Sequence, residues 1–305
     1  RTTGAVGSAD AFARAAVDGN PNGDGGLNYF FMGAVGGPLS DTFNARLSLY
    51  HNDDKGWFEN LYDGSNYGES KTTIFRPVVS WHPNEDVTLL LRWEHTESDS
   101  DGPASQNHTN GLGIPGFFVN YERDSFDFSV DAPGFLDFEM DFVTAQVDWD
   151  VDFGNGTITN IFGWREYFHD SYGDIDAQPV WLFHASSIND QEQFSNELRY
   201  NGIFGQANVT AGLYWFDNEV NYSENRELLG IATGGVAPAL TQNGGGILAV
   251  ESLAAFFSMD YMLNDAWSLN AGIRYTTEDK DAQIATLTRN LNNGCVVYEG
   301  TCNFD

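Results

Sequence analysis

The sequence predicts an all-β protein, an antiparallel transmembrane β-barrel, on three observations. Long stretches alternate between apolar and polar residues, short turns and long loops take alternate places between those stretches, and several stretches hold their alternation for ten residues or more. In Trp267-Ser268-Leu269-Asn270-Ala271-Gly272-Ile273-Arg274-Tyr275 the odd positions are Trp, Leu, Ala, Ile and Tyr, and the even ones Ser, Asn, Gly and Arg. Successive strand side chains point to opposite faces, so one face of this segment is greasy and the other wet. A soluble β-sandwich alternates too. Its strands average about 5–6 residues, whereas a tilted strand needs about 9–11 to cross a bilayer.

About ten strands pair into five hairpins. Leu27 to Val35 meets Leu39 to His51 through Gly36-Gly37-Pro38, and Thr72 to Trp81 meets Val87 to Thr96 through His82 to Asp86. Phe138 to Phe153 meets Thr157 to Phe168 through Gly154-Asn155-Gly156. Gln193 to Tyr200 meets Ala207 to Asn218 through Asn201 to Gln206, and Ser252 to Tyr261 meets Trp267 to Thr277 through Met262 to Ala266. Gly, Asn, Asp and Pro in those links are the residues that tight turns require. The connections between hairpins are longer: Asn52 to Lys71, Glu97 to Asp137, His169 to Glu192, Glu219 to Val250, and one opening at Glu278. Short turns at one end and long loops at the other match the periplasmic and extracellular ends of an outer-membrane barrel. Aromatic residues near the strand ends (Trp81, Phe153, Tyr261, Trp267, Tyr275) suit interfacial girdles.

Composition narrows the function classes. The 305 residues include 44 acidic and 14 basic ones, a net charge of −30, which argues against a nucleic-acid partner because phosphate binding needs clustered Lys and Arg. An aromatic share of 14% argues against a disordered acidic chain. No run of 18 apolar residues exists, so no helical span is expected. Arg1-Thr2-Thr3-Gly4 shows no basic region followed by an apolar one.

Five phrases, taken in order, resemble the TonB-dependent receptors. Gly37-Pro38-Leu39-Ser40-Asp41-Thr42 with Ala45-Arg46 is similar to an early barrel strand of that family, and Trp81-His82-Pro83-Asn84-Glu85-Asp86 to the turn that follows. Phe194-Ser195-Asn196-Glu197-Leu198-Arg199, Gly212-Leu213-Tyr214-Trp215-Phe216 and Ala271-Gly272-Ile273-Arg274-Tyr275-Thr276 to Lys280 look like three later strands. The resemblance covers about residues 33 to 280. It implies a barrel of about twenty-two strands, of which this chain would be roughly the first half. It also implies an N-terminal plug that touches the TonB complex, which the chain does not show, and active import of a scarce nutrient such as a siderophore or carbohydrate. Implied partners are outer-membrane lipid and lipopolysaccharide, the TonB complex through that plug, and the small-molecule nutrient. A passive porin is the alternative that liposome swelling without TonB would support. A surface adhesin with acidic loops is another, and calcium-dependent binding to host or matrix molecules would favour it.

Nothing in the sequence resembles a catalytic constellation or calls for a cofactor, and the six His fall singly with no metal spacing. Arg46, Arg92, Glu94, Asp148, Asp150, Glu197, Arg199 and Arg274 fall on the polar face of their stretches and are expected to face the lumen. Either they solvate a wide interior and hydrogen-bond a plug, or some of them line the substrate path. Trp57, Phe117, Phe118, Tyr121, Tyr172, Trp181 and Phe183 are aromatic residues of the expected loops that could stack on a ligand. Asn20-Pro21-Asn22-Gly23-Asp24-Gly25 and Glu97-Ser98-Asp99-Ser100-Asp101-Gly102 open like EF-hand loops. Both lack the closing Glu, because Phe31 and His108 stand at the twelfth positions, which leaves Asp99 and Asp101 as poor calcium candidates beside a plain solvated-loop reading. Cys295 and Cys302 in a Gly/Asn-rich stretch suggest a small loop disulfide in an oxidising compartment, or else two free thiols.

Overall fold

The computed structural model describes residues 9–19, 26–108, 119, 121–123 and 125–289, with side chains through 285 in the last strand. Asn20 to Gly25, Phe117, Phe118, Cys295 and Cys302 lie outside the described residues. The rest form one eleven-stranded sheet in which each strand pairs antiparallel with its sequence neighbours. The strands are β1 (Asp10–Gly19), β2 (Leu27–Pro38), β3 (Phe43–Asn60), β4 (Ser65–Asn84), β5 (Val87–Ser100) and β6 (Phe135–Val151). They continue as β7 (Gly156–Asp174), β8 (Phe183–Phe204), β9 (Ala207–Leu228), β10 (Leu240–Asn264) and β11 (Trp267–Arg289). A meander in sequence order is what short hairpin links dictate.

The structure departs from the sequence-based expectation in three ways. An eleventh strand, β1, precedes the ten expected ones. Its alternation is faint because Ala11, Ala13 and Ala15 form one face while Phe12 and Ala16 sit among Asp10, Arg14 and Asp18 on the other. The first turn is Leu39 to Thr42 and not Gly36-Gly37-Pro38, since β2 continues in register through Pro38 opposite Asn44. Most of the expected long loops are strand: β3 and β4 pair as far as Asn60 and Ser65, and β8 and β9 as far as Phe183 and Leu228. The connections at this end shrink to 61–64, 101–134, 175–182 and 229–239, of which the last three are still longer than the turns at the other end. Alternation is lost in these extensions because they lie beyond the apolar belt, where no one face is uniformly apolar, while the backbone ladder continues regardless.

The register aligns one face into an apolar belt. Leu253, Ala255, Phe257 and Met259 of β10 oppose Trp215, Leu213, Ala211 and Val209 of β9 on one side. On the other side they oppose Thr277, Tyr275, Ile273 and Ala271 of β11. The belt has a sharp upper edge. Trp93, Val143, Trp164 and Phe194 form one cross-strand row, and two residues further up the row reads His95, Asp141, Glu166, Glu192 and Glu219. The indole N–H groups bridge the two rows: Trp93 Nε1 donates to Asp141 Oδ1 at 2.7 Å and Trp164 Nε1 to Glu192 Oε1 at 3.1 Å. Apolar ring and polar tip thus meet unlike surroundings, as an interfacial aromatic requires.

Candidate recognition site at the long-loop end

All the polar-face residues expected from sequence share the face opposite the belt. Arg46 and Arg92 both oppose Val78. Asp148 opposes Thr159, which opposes Arg199, which opposes Gly212, then Phe256, then Arg274. Most are held by neighbours. Arg46 donates to Asp10 Oδ1 at 2.6 Å across β2, an approach open because Gly36 lies between them and a Cβ there would stand 2.9 Å from the Arg46 side chain. Arg76 pairs with Glu94, and Arg199 with Glu197 at 3.1 Å. Thr159 and Gln146 each donate to Asp148 at 2.7 Å, and Thr157 donates to Asp150 at 2.6 Å. Arg274 lies over the Tyr214 and Phe256 rings at 5.5 and 5.7 Å.

A second group was not evident from sequence. The described residues of the 101–134 connection fold back onto the upper sheet, and a small core of Tyr67, Phe128 and Val130, with Phe58 and Ala104 against it, holds them there. Asn60, fully buried, is the clasp: its Nδ2 donates to Val130 O at 2.9 Å, and its Oδ1 accepts from Val130 N at 3.1 Å and Tyr62 N at 3.2 Å. Gln178, equally buried, grips the Val119 amide and carbonyl, and Asn107 Nδ2 donates to Asp176 O at 3.0 Å.

Between the 101–134 and 175–182 connections sits a carboxylate–imidazole cluster. His184 is 3% exposed, and its Nε2 lies 2.9 Å from Asp131 Oδ1 and its Nδ1 3.0 Å from the Tyr172 hydroxyl. The Trp181 ring stacks on the imidazole with centroids 4.9 Å apart. Asp174, 6% exposed, accepts from the Ala177 and Asp131 amides, and Asp176 accepts from those of Leu182 and Phe183. Burial first, then the charge of Asp176, lifts Asp174 well above the usual carboxylate range. Burial likewise raises Asp176 to about 6, against its two amide donors. Burial pulls His184 down, but its hydrogen bond to Asp131 and the surrounding carboxylates outweigh that and raise it.

Of the expected ligand-contact aromatics, Tyr172 and Trp181 therefore meet His184, while Phe183 gives only its amide, to Asp176. Tyr172 stands on β7 and Trp57 on β3, so neither is a loop residue. Tyr121 bonds Ser129 Oγ at 2.6 Å, and Trp57 is 48% exposed. Asp101 accepts from the Glu69 amide at 2.9 Å, and Asp99 opposes Lys71 and Asp137 in the ladder. Two sets of side chains bring metal-binding atoms together among the described residues: Asp131, Asp174 and His184, and His95, Glu139 and Asp141. The Asp-Ile-Asp of Asp174 to Asp176, with His184 further on, is a local signal for the first set, but Asp131 reaches it from another connection.

No protein-family model and no curated protein matches the chain. Solved structures do. The chain is similar to the ferric citrate transporter FecA (12% identity, TM-score 0.70, covering 94% of this chain and 41% of that one). It is also similar to the ferric yersiniabactin uptake receptor FyuA from Yersinia pestis (15% identity, TM-score 0.64, 86% and 41%). The siderophore receptor PiuA from Acinetobacter baumannii matches at 12% identity and TM-score 0.58 (91% and 46%). The fold is thus that of an outer-membrane β-barrel wall, present in part. More particularly it is the fold of part of the barrel in these receptors and transporters, of whose length the chain spans less than half.

Proposed function

We propose that the chain forms part of the barrel of a TonB-dependent receptor in the bacterial outer membrane, which imports a scarce nutrient. The observation that carries this is the barrel-wall match to FecA over 94% of the chain, on a sheet with an apolar belt edged by tryptophan. The belt meets lipid and lipopolysaccharide, and the opposite face, with Arg46, Arg92, Glu94, Asp148, Asp150, Glu197, Arg199 and Arg274, lines the lumen. Because these charges are mostly paired locally, they serve chiefly to solvate the lumen wall and hydrogen-bond a plug. Recognition falls to the long-loop end, where the folded-back 101–134 connection presents the residues nearest the outside. Energy reaches the receptor from the TonB complex through a plug outside this chain. By their descriptions FyuA is a ferric yersiniabactin uptake receptor, FecA a ferric citrate transporter and PiuA a siderophore receptor, so a metal chelate is the cargo class to test first.

Deletion of the complete gene should abolish growth on one chelated nutrient as sole source, and re-expression should restore it only in a strain with functional TonB. Restored growth without TonB, or liposome swelling by small solutes with the purified protein, would refute active import in favour of a passive pore.

A further inference from the structure

The cluster beneath Trp181 holds more acid than its surroundings balance. Asp131, Asp174 and Asp176 are enclosed together, and their ion-pair partner among the described residues is His184 alone. Asp176 Oδ1 is fully enclosed and has no hydrogen-bond partner. Buried carboxylates require pairing or a metal. One oxygen each of Asp131 and Asp174 and one imidazole nitrogen of His184 already lie within 4.8 Å of one another. A tetrahedral ion with bonds of about 2.0–2.2 Å holds its ligands about 3.3 Å apart, so the set would contract by at most about 1.5 Å to hold one. The outer contacts fit as well: the second imidazole nitrogen of a metal-bound histidine is normally hydrogen bonded, here to the Tyr172 hydroxyl at 3.0 Å, and Trp181 covers the ring.

We propose that Asp131, Asp174 and His184 bind a first-row divalent metal ion of the zinc type, which clamps the 101–134 connection to the ends of β7 and β8. The ligands come from three chain segments, so the ion closes a loop that the sheet itself does not close. An imidazole with two carboxylates suits zinc and its neighbours. Calcium takes six to eight oxygens and magnesium an octahedron rich in water. This site is structural and independent of the cargo, so it stands or falls apart from the import reading.

The test uses the full-length receptor, purified in detergent, stripped with chelator and titrated with Zn²⁺ against a chromogenic competitor, with metal content measured after dialysis. One equivalent per chain is expected. Asp174→Asn and His184→Ala should each weaken binding by at least about 100-fold, and Tyr172→Phe, which keeps every ligand, by about 10- to 100-fold. Asp131→Asn, which also keeps side-chain shape, should weaken binding as much as Asp174→Asn, and unchanged circular dichroism in each variant separates ligand loss from misfolding. Zn²⁺ should slow proteolysis within residues 101–134 in the wild type and not in Asp174→Asn. Substoichiometric zinc in the wild type, equal affinity in Asp174→Asn, or a preference for Ca²⁺ would overturn the proposal and leave a cluster held by protons alone.

Discussion

Replacing Asn60 with Ala isolates what the loop clasp is worth. The amide of Asn60 pairs both the N–H and the C=O of Val130, which is 1% exposed, so water does not reach those groups once the side chain is gone. An unpaired buried polar group costs about 1–3 kcal/mol. Two such groups, with some relaxation, give about 2–4 kcal/mol. That corresponds to roughly a 30- to 1000-fold rise in the population of open loop, at a factor of ten for every 1.4 kcal/mol. The opening is local, because the sheet ladder does not depend on Val130, so global unfolding should barely move. Hydrogen exchange of peptides covering 125–134 in the full-length receptor measures it directly. Asn66→Ala, at an exposed position on β4, is the matched control and should shift exchange by less than about 0.5 kcal/mol. Unchanged protection in Asn60→Ala would refute the clasp and place the loop's stability in its apolar core.

Three further outcomes follow from the same geometry. Leu213→Arg on the apolar belt, at 56% exposure, should cost up to about 2–4 kcal/mol and impair barrel assembly, whereas Gln146→Arg beside Asp148 on the opposite face should be tolerated; heat-modifiable gel mobility reads both. Gly134→Ala should release the β6–β7 end, because Gly134 has φ of +74° and an added Cβ would lie 2.2 Å from Tyr172 O; protease sensitivity near residue 134 should rise severalfold. Asp137 is held above its ordinary range by burial and then by Asp99 and Asp170, so the folded state binds its proton more tightly than the unfolded one. Its contribution to stability is therefore greatest below about pH 3.9 and is lost as pH rises through the folded value. Asp137→Asn should flatten the loss of upper-sheet protection seen in exchange between acid and neutral pH, and an unaltered slope would contradict the assignment.

The belt was legible because a continuous apolar face imposes a period of two on every strand that crosses it, so Trp267 to Tyr275 and Leu253 to Tyr261 could be assigned to faces from their alternation alone. Strand ends were not legible, because above the belt residues such as Asn52 to Asn60 have no uniformly apolar face and carry no period while still pairing. The polar-face charges were readable for the same reason as the belt. The His184 cluster was not: Asp131 lies 53 residues from His184 in sequence, and only the fold-back of one connection onto the next brings them together.

That fold-back also answers a difficulty the sheet creates for itself. Above the belt, Asp99, Asp137 and Asp170 stand directly opposite one another, as do Asp141, Glu166, Glu192 and Glu219 in the row at its edge. Like charges in register destabilise a strand pair, each by about 0.2–1 kcal/mol. The extensions that reach toward the outside are therefore the least secure part of the ladder. The compensation comes from packing the 101–134 connection against them: Phe128 and Val130 on Tyr67, Asn60 on Val130, Gln178 on Val119. A substitution at Phe128, which is 1% exposed, consequently loosens the strands beneath it, whereas one in the belt at Leu253 or Ile273 acts on the apolar face and leaves this packing in place.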